Sequence, residues 1–404
     1  MRNVIFAAPF SLENTMRFVR AVRGLPNVRL LGVAQTPPTG EDAKLYNDVA
    51  LVGDGLDAQQ LLDAVRKLEK RYGPIHRLLG ILEPLQVQLA MVREAMGLPG
   101  VGVKTADLFR DKARMKDALR AAGLPCARHA VITSYAEAER FVAEVGLPVV
   151  LKPPAGMGCK ATWRINSLDA LRAALAATHV SAQNPSLAEE FLRGREYSFE
   201  TLTLGGKVRF VSATRYFPTP LEVMETPWIQ WAVVLPRHID TPEFDGVQEL
   251  GTRTIEALGL ETGMTHMEWF RRDDGSLAIG EIAARPPGAQ IVLANGFAYD
   301  VDMYRTWARL VVDDAIDGPF DRKYAVGTAF LRGIGRGRVV SVTGVEEANK
   351  KVGHLVVRSS LPTRGTPRAD SYEGEGYVVV RHPDTEVVKA AVATIIETIR
   401  VAYG

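Results

Sequence analysis

Two cysteines in 404 residues, Cys126 and Cys159, are too few for a disulfide framework and lack the paired spacing of a zinc site. That usage suits a reducing compartment. No apolar run reaches the roughly 20 residues that a membrane-spanning helix needs, so no membrane partner is expected. The opening residues, MRNVIFAAPFSLENTMRF, have neither the long apolar stretch nor the small-residue cleavage site of a secretory leader, and the expected location is cytoplasmic. Charge of one sign is also lacking: 49 basic residues stand against 47 acidic ones, which leaves no electrostatic footprint for nucleic acid. The turn after the first apolar run reads AAPFSLEN, without the G-x-G-x-x-G fingerprint of a dinucleotide site. What remains is an ordinary globular composition, 47% hydrophobic and 24% charged, in a chain long enough for two to four domains.

Residues 1–105 alternate short aliphatic runs (VIFAA, VRLLGVA, IHRLLGIL) with amphipathic stretches such as SLENTMRFVRAVRG and AQQLLDAVRKLEKRYG. This βαβ rhythm predicts a parallel sheet covered by helices. Residues 106–187 read as a small αβ unit built around the strand PVVLKP and the glycine-containing loop PPAGMGCKAT. Residues 188–318 change character, with a hairpin about Gly205-Gly206, a helix over EFDGVQELGTRTIEALG, and a second hairpin. Residues 319–404 read as a small α+β unit: strands at YAVGTAFLR, RVVSV, HLVVRSS and YVVVR, then one helix through TEVVKAAVATIIETIRVAY. PTRGTPRADSYEGEG reads as a mobile loop.

The second hairpin, HMEWFRRDDGSLAIGEIAARPPG, carries the most chemistry. Asp274-Gly275 suits a two-residue type I′ turn, because both central residues must take positive φ. Pairing outward from that turn sets Glu268 opposite Glu281, His266 opposite Ala283 and Phe270 opposite Ile279. Like charges directly opposed on one sheet face are destabilising. A hard divalent ion held by one or two carboxylates together with substrate phosphates would resolve the conflict; a hairpin whose glutamates point into water is the alternative.

Lys112, on a helix, and Lys152, at the end of an apolar strand, flank the glycine loop. Together with the backbone N–H groups of Gly156 and Gly158 they could clamp a polyphosphate. Farther on, AEEFLRGRE places Glu189, Glu190 and Glu196 about a strand end, suited to reading a purine edge and ribose hydroxyls or to protecting a sheet edge.

The order of these parts (helix lysine, strand-end lysine, glycine loop, glutamate-rich hinge, two hairpin carboxylates, then Arg285) resembles the ATP-grasp superfamily. The run Thr265-His266-Met267-Glu268 is similar to that of its L-amino-acid ligase (dipeptide synthetase) branch. The fold this implies is α/β and α+β: an ATP-grasp fold with an N-terminal Rossmann-like (pre-ATP-grasp) domain and a small α+β C-terminal domain. By the same resemblance, Lys112 and Lys152 would contact ATP phosphates under the loop Ala155 to Lys160. Glu189 and the backbone of Phe191 and Leu192 would read adenine, and Glu196 would bind ribose. Glu268 and Glu281 would hold Mg²⁺, with Mn²⁺ as the alternative ion, and Arg285 would stabilise the transferring phosphoryl group or an acyl phosphate. The implied partners are a small carboxylic acid and an amine such as an amino acid, and the family suggests a homodimer.

One departure is plain: Ala283 stands where the superfamily usually has a metal-binding Asn. That weighs toward a catalytically inactive ATP-binding sensor or scaffold. Biotin-carboxylase-like carboxylation fits less well, because Ala289 replaces that group's basic glutamate and there is no Met-Lys-Met segment. His266 shares the face of Glu268 and could border the site or serve the fold, while Cys159 has no evident base and reads as a packing residue. In RYFPTPLEVMETPWIQWAVVLPRH, Arg215, Trp228 and Trp231 could wall a substrate pocket, or pack a loop or a dimer contact.

Overall fold

The structure is a computed structural model that describes residues 1–156, 161–226 and 229–404. Its first sheet contains β1 (Arg2–Ala7), β2 (Val28–Ala34), β3 (Asp48–Leu51) and β4 (Ile75–Leu79), in the order β3-β2-β1-β4 and parallel throughout. Burial on both faces explains the unbroken aliphatic runs in β1 and β2. The helices Glu13–Arg23, Ala58–Tyr72 and Gln86–Met96 are the amphipathic stretches of the sequence. After β4 the chain turns into Glu83, at the carboxyl edge where parallel sheets place their ligands.

The helix Lys112–Ala121 begins where the Asp111 carboxylate accepts the N–H groups of Ala113 and Arg114. Lys112 and Lys116 are one turn apart on it, and both are buried. A small antiparallel sheet follows, from β5 (His129–Ile132), β6 (Val149–Lys152), β7 (Trp163–Ile165) and β8 (Ser186–Glu190), ordered β5-β8-β6-β7. Lys152 closes β6 and Glu189 lies on β8 beside it.

The largest sheet has eight strands. It contains β9 (Gly194–Leu204), β10 (Lys207–Phe217), β11 (Trp231–Leu235), β12 (Gly263–Arg272) and β13 (Leu277–Ala283). Residues beyond 318 contribute β14 (Ala325–Leu331), β15 (Val339–Thr343), β16 (Val356–Ser360), β17 (Gly376–His382) and β18 (Arg400–Tyr403). The order β13-β12-β9-β10-β11-β14-β17-β16 shows that three of these C-terminal strands extend the central sheet, while β15 pairs with β18. Gly205 and Gly206 both take positive φ, and the β9–β10 turn forms as expected. Two segments differ from the sequence reading. WAVVL is a fully buried strand rather than a pocket wall, and the last helix stops at Thr398 before β18.

Alternation divides β9 and β12 into two unlike faces. Tyr197, Phe199, Met267 and Trp269 pack into an apolar cluster with the helices Lys112–Ala121 and Val247–Leu258. Gly251 permits the second helix to approach: a Cβ there would stand 2.6 Å from the Phe199 ring. The intervening residues, Glu196, Ser198, Glu200, His266 and Glu268, form the other face.

Candidate functional site

Glu268 and Glu281 lie directly opposite each other, and so do His266 and Ala283. The route to that register differs from the expected one. The turn contains three residues, Asp273 to Gly275, not two: the Arg272 N–H donates to the Ser276 carbonyl at 2.8 Å, and Gly275 takes φ +83°. Asp274 stabilises it by accepting the Ser276 N–H and hydroxyl. The longer turn shifts the pairing by one residue, so Phe270 faces Ala278 and not Ile279. A bulge at Gly280 then cancels the shift, and the two glutamates meet.

That bulge has a second use. The Gly280 carbonyl accepts the ammonium of Lys116, and the Ile279 N–H donates to the Pro125 carbonyl at 2.8 Å. A Cβ at Gly280 would stand 3.1 Å from the Phe270 ring and 3.2 Å from the Glu268 carbonyl oxygen, which accounts for the glycine.

Around the pair, cations and carboxylates alternate. Lys112 Nζ is 3.3 Å and Lys152 Nζ 3.6 Å from the same Glu281 oxygen. Lys152 is 3.0 Å from one oxygen of Glu189, and Lys116, which is wholly buried, is 3.2 Å from the other. Burial alone would raise both carboxyl pKa values. Instead Lys116 and Lys152 bring Glu189 down, and Lys112, Lys152 and Lys116 bring Glu281 down. Glu268 moves the other way, raised first by burial and then by Glu281. Burial, with Glu268 and Glu281 nearby, also raises Glu196 well above the usual range. The facing carboxylates therefore differ: lysines hold Glu281 below the usual range, whereas burial and the opposed Glu281 hold Glu268 above it.

His266 is held at 3.0 Å by fully buried Glu200, which also accepts from Thr214, and its other ring nitrogen is 3.9 Å from Glu268. Arg285 meets Glu83, on the turn that follows β4, at 2.7 Å, and Arg110 approaches the same carboxylate at 3.3 Å. The Gly156 carbonyl accepts from Lys112 at 3.0 Å and from Arg110 at 3.1 Å, which ties the start of the glycine loop to the cluster. Phe191 lies beneath the Arg164 guanidinium at 4.3 Å, with Leu192 next in the chain.

The structure thus brings Lys112, Lys152, Gly156, Glu189, Glu196, His266, Glu268 and Glu281 together. Arg215 does not join them; it shares the opposite face with Tyr197 and pairs with Glu243. Trp231 is a core residue, stacked on Phe330 at 4.7 Å with its N–H donated to the Pro218 carbonyl. Gly158, Cys159, Lys160 and Trp228 lie outside the described residues. Sequence reasoning missed Lys116, Glu83 and Glu200. The four-residue spacing from Lys112 could have revealed the first, and two-residue alternation from Glu196 the third.

Among the described residues, no group of three or more His, Cys, Asp or Glu side chains is arranged to hold a metal by itself. Two opposed carboxylates still fit Mg²⁺, which takes one or two protein carboxylates and completes its shell with phosphates and water. The raised Glu268 is the group that such a cation would relieve. Ala283 adds no ligand.

The chain is similar to known proteins over this region. The family model for the ATP-grasp domain matches residues 117–289. The L-arginine-specific L-amino acid ligase of Bacillus subtilis is 27% identical over 60% of this chain, and the match spans 59% of that relative's length. The D-alanine--D-alanine ligase of Mycobacterium ulcerans (strain Agy99) is 30% identical over 60% of this chain and 64% of its own. In three dimensions, the L-amino acid ligase from Bacillus licheniformis superposes with a TM-score of 0.80 over 100% of this chain and 99% of its own, at 17% identity.

Proposed function

The chain belongs to the ATP-grasp superfamily, with its likeness on the L-amino-acid ligase side, and from that premise we propose that it is an ATP-dependent ligase. It joins a carboxylic acid to an amine, releasing ADP and phosphate. The observation that carries this reading is the alternation of Lys112, Lys116 and Lys152 with Glu189 and the partly buried Glu281, beside the raised carboxyl of Glu268.

In this reading Lys112 and Lys152 exchange their hold on Glu281 for the phosphate oxygens of ATP. Glu281 and Glu268 would hold Mg²⁺, which when bound would supply charge stabilisation at the phosphates. The acid's carboxylate attacks the γ-phosphorus, the bond to ADP breaks, and an acyl phosphate forms. Arg285, with Arg110 on the same glutamate, leaves one side of the site rich in positive charge for that anion. Lys116 acts from below, fixing Glu189 and the Gly280 bulge, so it positions the reacting groups.

ADP release measured across pairwise mixtures of amino acids and small carboxylic acids, with mass spectrometry of the products, tests the proposal. ADP that requires both acid and amine, with a condensed product, supports ligation. ATP binding without turnover in any mixture favours a sensor, the reading that Ala283 supports.

A further inference from the structure

Residues 371–374 come from the far end of the chain, yet they pack against the turn that follows Arg285. The Tyr372 ring meets Trp231 edge-on at 4.6 Å, and the Arg285 guanidinium, whose pKa burial lowers and Glu83 raises, is raised further by Tyr372. Gly374 fixes the approach, with φ +67° and so little room that a Cβ would be 2.6 Å from the Leu331 carbonyl oxygen. Between them, the Glu373 carboxylate accepts the Ala289 N–H at 3.2 Å and a hydrogen bond from the Gln290 side chain. The same oxygen would lie 3.5 Å from a Cβ at Gly288. Ala289 and Gln290 both take the left-handed conformation, which directs their donors toward this carboxylate.

The turn from Arg285 to Gln290 therefore has a guanidinium at one end and a carboxylate at the other. The charges near each end are unequal. Glu83 is the carboxylate that Arg110 and Arg285 share, so two guanidiniums meet one carboxylate there. The charged group that faces Glu373 is Arg17, from the helix Glu13–Arg23, and its nitrogens are already given to Glu13, Gln290, Tyr304 and Tyr377. Burial raises the Glu373 carboxyl pKa, and the Ala289 N–H, Gln290 and Arg17 offset only part of that rise. A site that joins an acyl phosphate to an amine needs this asymmetry: an anion at the arginine end and a protonated amine at the other.

We propose that Glu373 is the residue that receives the amine substrate, binding its ammonium and taking the proton that must leave before attack. This rests on the ligase reading. The ammonium gives one proton to the Glu373 carboxylate, and the freed lone pair forms the C–N bond at the acyl carbon. The carbon–oxygen bond to phosphate breaks as the second amine proton passes to the departing phosphate, and Glu373 returns its proton to water.

Hydroxylamine separates the two parts of the reaction because it is largely uncharged at neutral pH and needs neither an ammonium site nor a base. The protein is given Mg²⁺-ATP and each of the common L-amino acids, either alone or with hydroxylamine, and amide and hydroxamate are both measured. Glu373→Gln keeps an oxygen for the Ala289 N–H but removes the charge and the basicity. The expected result is an amide-to-hydroxamate ratio at least about a hundredfold below that of the natural protein, the scale of a lost general base. Glu373→Asp should give an intermediate ratio. Hydroxamate formation in the same sample reports that the variant is folded and that its ATP site works. An unchanged ratio, with both products retained or both lost equally, overturns the role of Glu373 and leaves ligation standing. Neither ADP nor hydroxamate from the natural protein with any acid overturns ligation, and this inference with it.

Discussion

Neighbouring residues on β9 and β12 belong to different chemistries. On one face, Trp269 is stacked on Tyr197 at 4.7 Å within a sealed apolar cluster. On the other, Glu196, Glu200, His266 and Glu268 crowd together, with burial and like charge raising two of the carboxyl pKa values. The apolar face is stabilised by water exclusion and dispersion, which are indifferent to charge. The polar face keeps an electrostatic conflict that costs stability and that a bound cation would relieve. The difference teaches that this sheet is stabilised from one side so that the other can remain under strain.

Breaking the apolar side should have the largest effect on stability. Trp269→Ala is expected to cost about 3 to 5 kcal/mol in urea unfolding, from lost transfer energy and the cavity left behind. A cost below about 1 kcal/mol would mean that this face does not anchor the sheet. The two facing glutamates sharpen the comparison, because their partners differ. Glu281→Gln removes the negative charge that Lys112 and Lys152 share, so it should destabilise by about 1 to 3 kcal/mol. It should also lower ligase turnover at least about a hundredfold. Retained turnover at saturating Mg²⁺ would contradict the proposed metal site.

Gly280→Ala tests the bulge between the two faces. The added Cβ presses on Phe270 and the Glu268 backbone, with an expected cost of about 1 kcal/mol or slightly more. Activity should fall further than that cost explains, because Glu281 is displaced. Glu268→Gln should have the smallest effect on stability and the opposite sign, a gain of roughly 0.2 to 1 kcal/mol from relief of like charge. Its turnover should nevertheless fall at least about a hundredfold. A variant that is both less stable and fully active would reverse the assignment of the two carboxylates.

Much of this was readable from local pattern, and the exceptions have identifiable causes. Gly205-Gly206 announced the β9–β10 turn because two consecutive positive φ angles require such residues. Asp274-Gly275 was misread by one residue, since Asp273 also entered the turn, and only the Gly280 bulge restored the opposition of Glu268 and Glu281. That success came from two offsetting shifts. WAVVL was hidden by its Pro-rich surroundings, although a short, unbroken apolar run suits a strand buried on both faces. β18 was absorbed into the preceding helix because IIETIRVAY continues the apolar pattern without a glycine or proline to stop it. Lys116 was passed over because a lysine on an amphipathic helix is ordinarily solvated.

By itself the sequence determined the parts and their local geometry: a parallel nucleotide-like sheet, two lysines flanking a glycine loop, and two carboxylates face to face across a hairpin. Periodicity and turn chemistry act over a few residues, so they can be read along the chain. The tertiary structure decided which charges meet. It set Lys112, Lys116 and Lys152 between Glu189 and Glu281, gave Arg285 to Glu83, and brought Glu373 across 84 residues to the Ala289 N–H. Those partnerships depend on how separate sheets and helices pack, and in a buried, low-dielectric interior such packing decides which ionisable groups are compensated and which remain able to react.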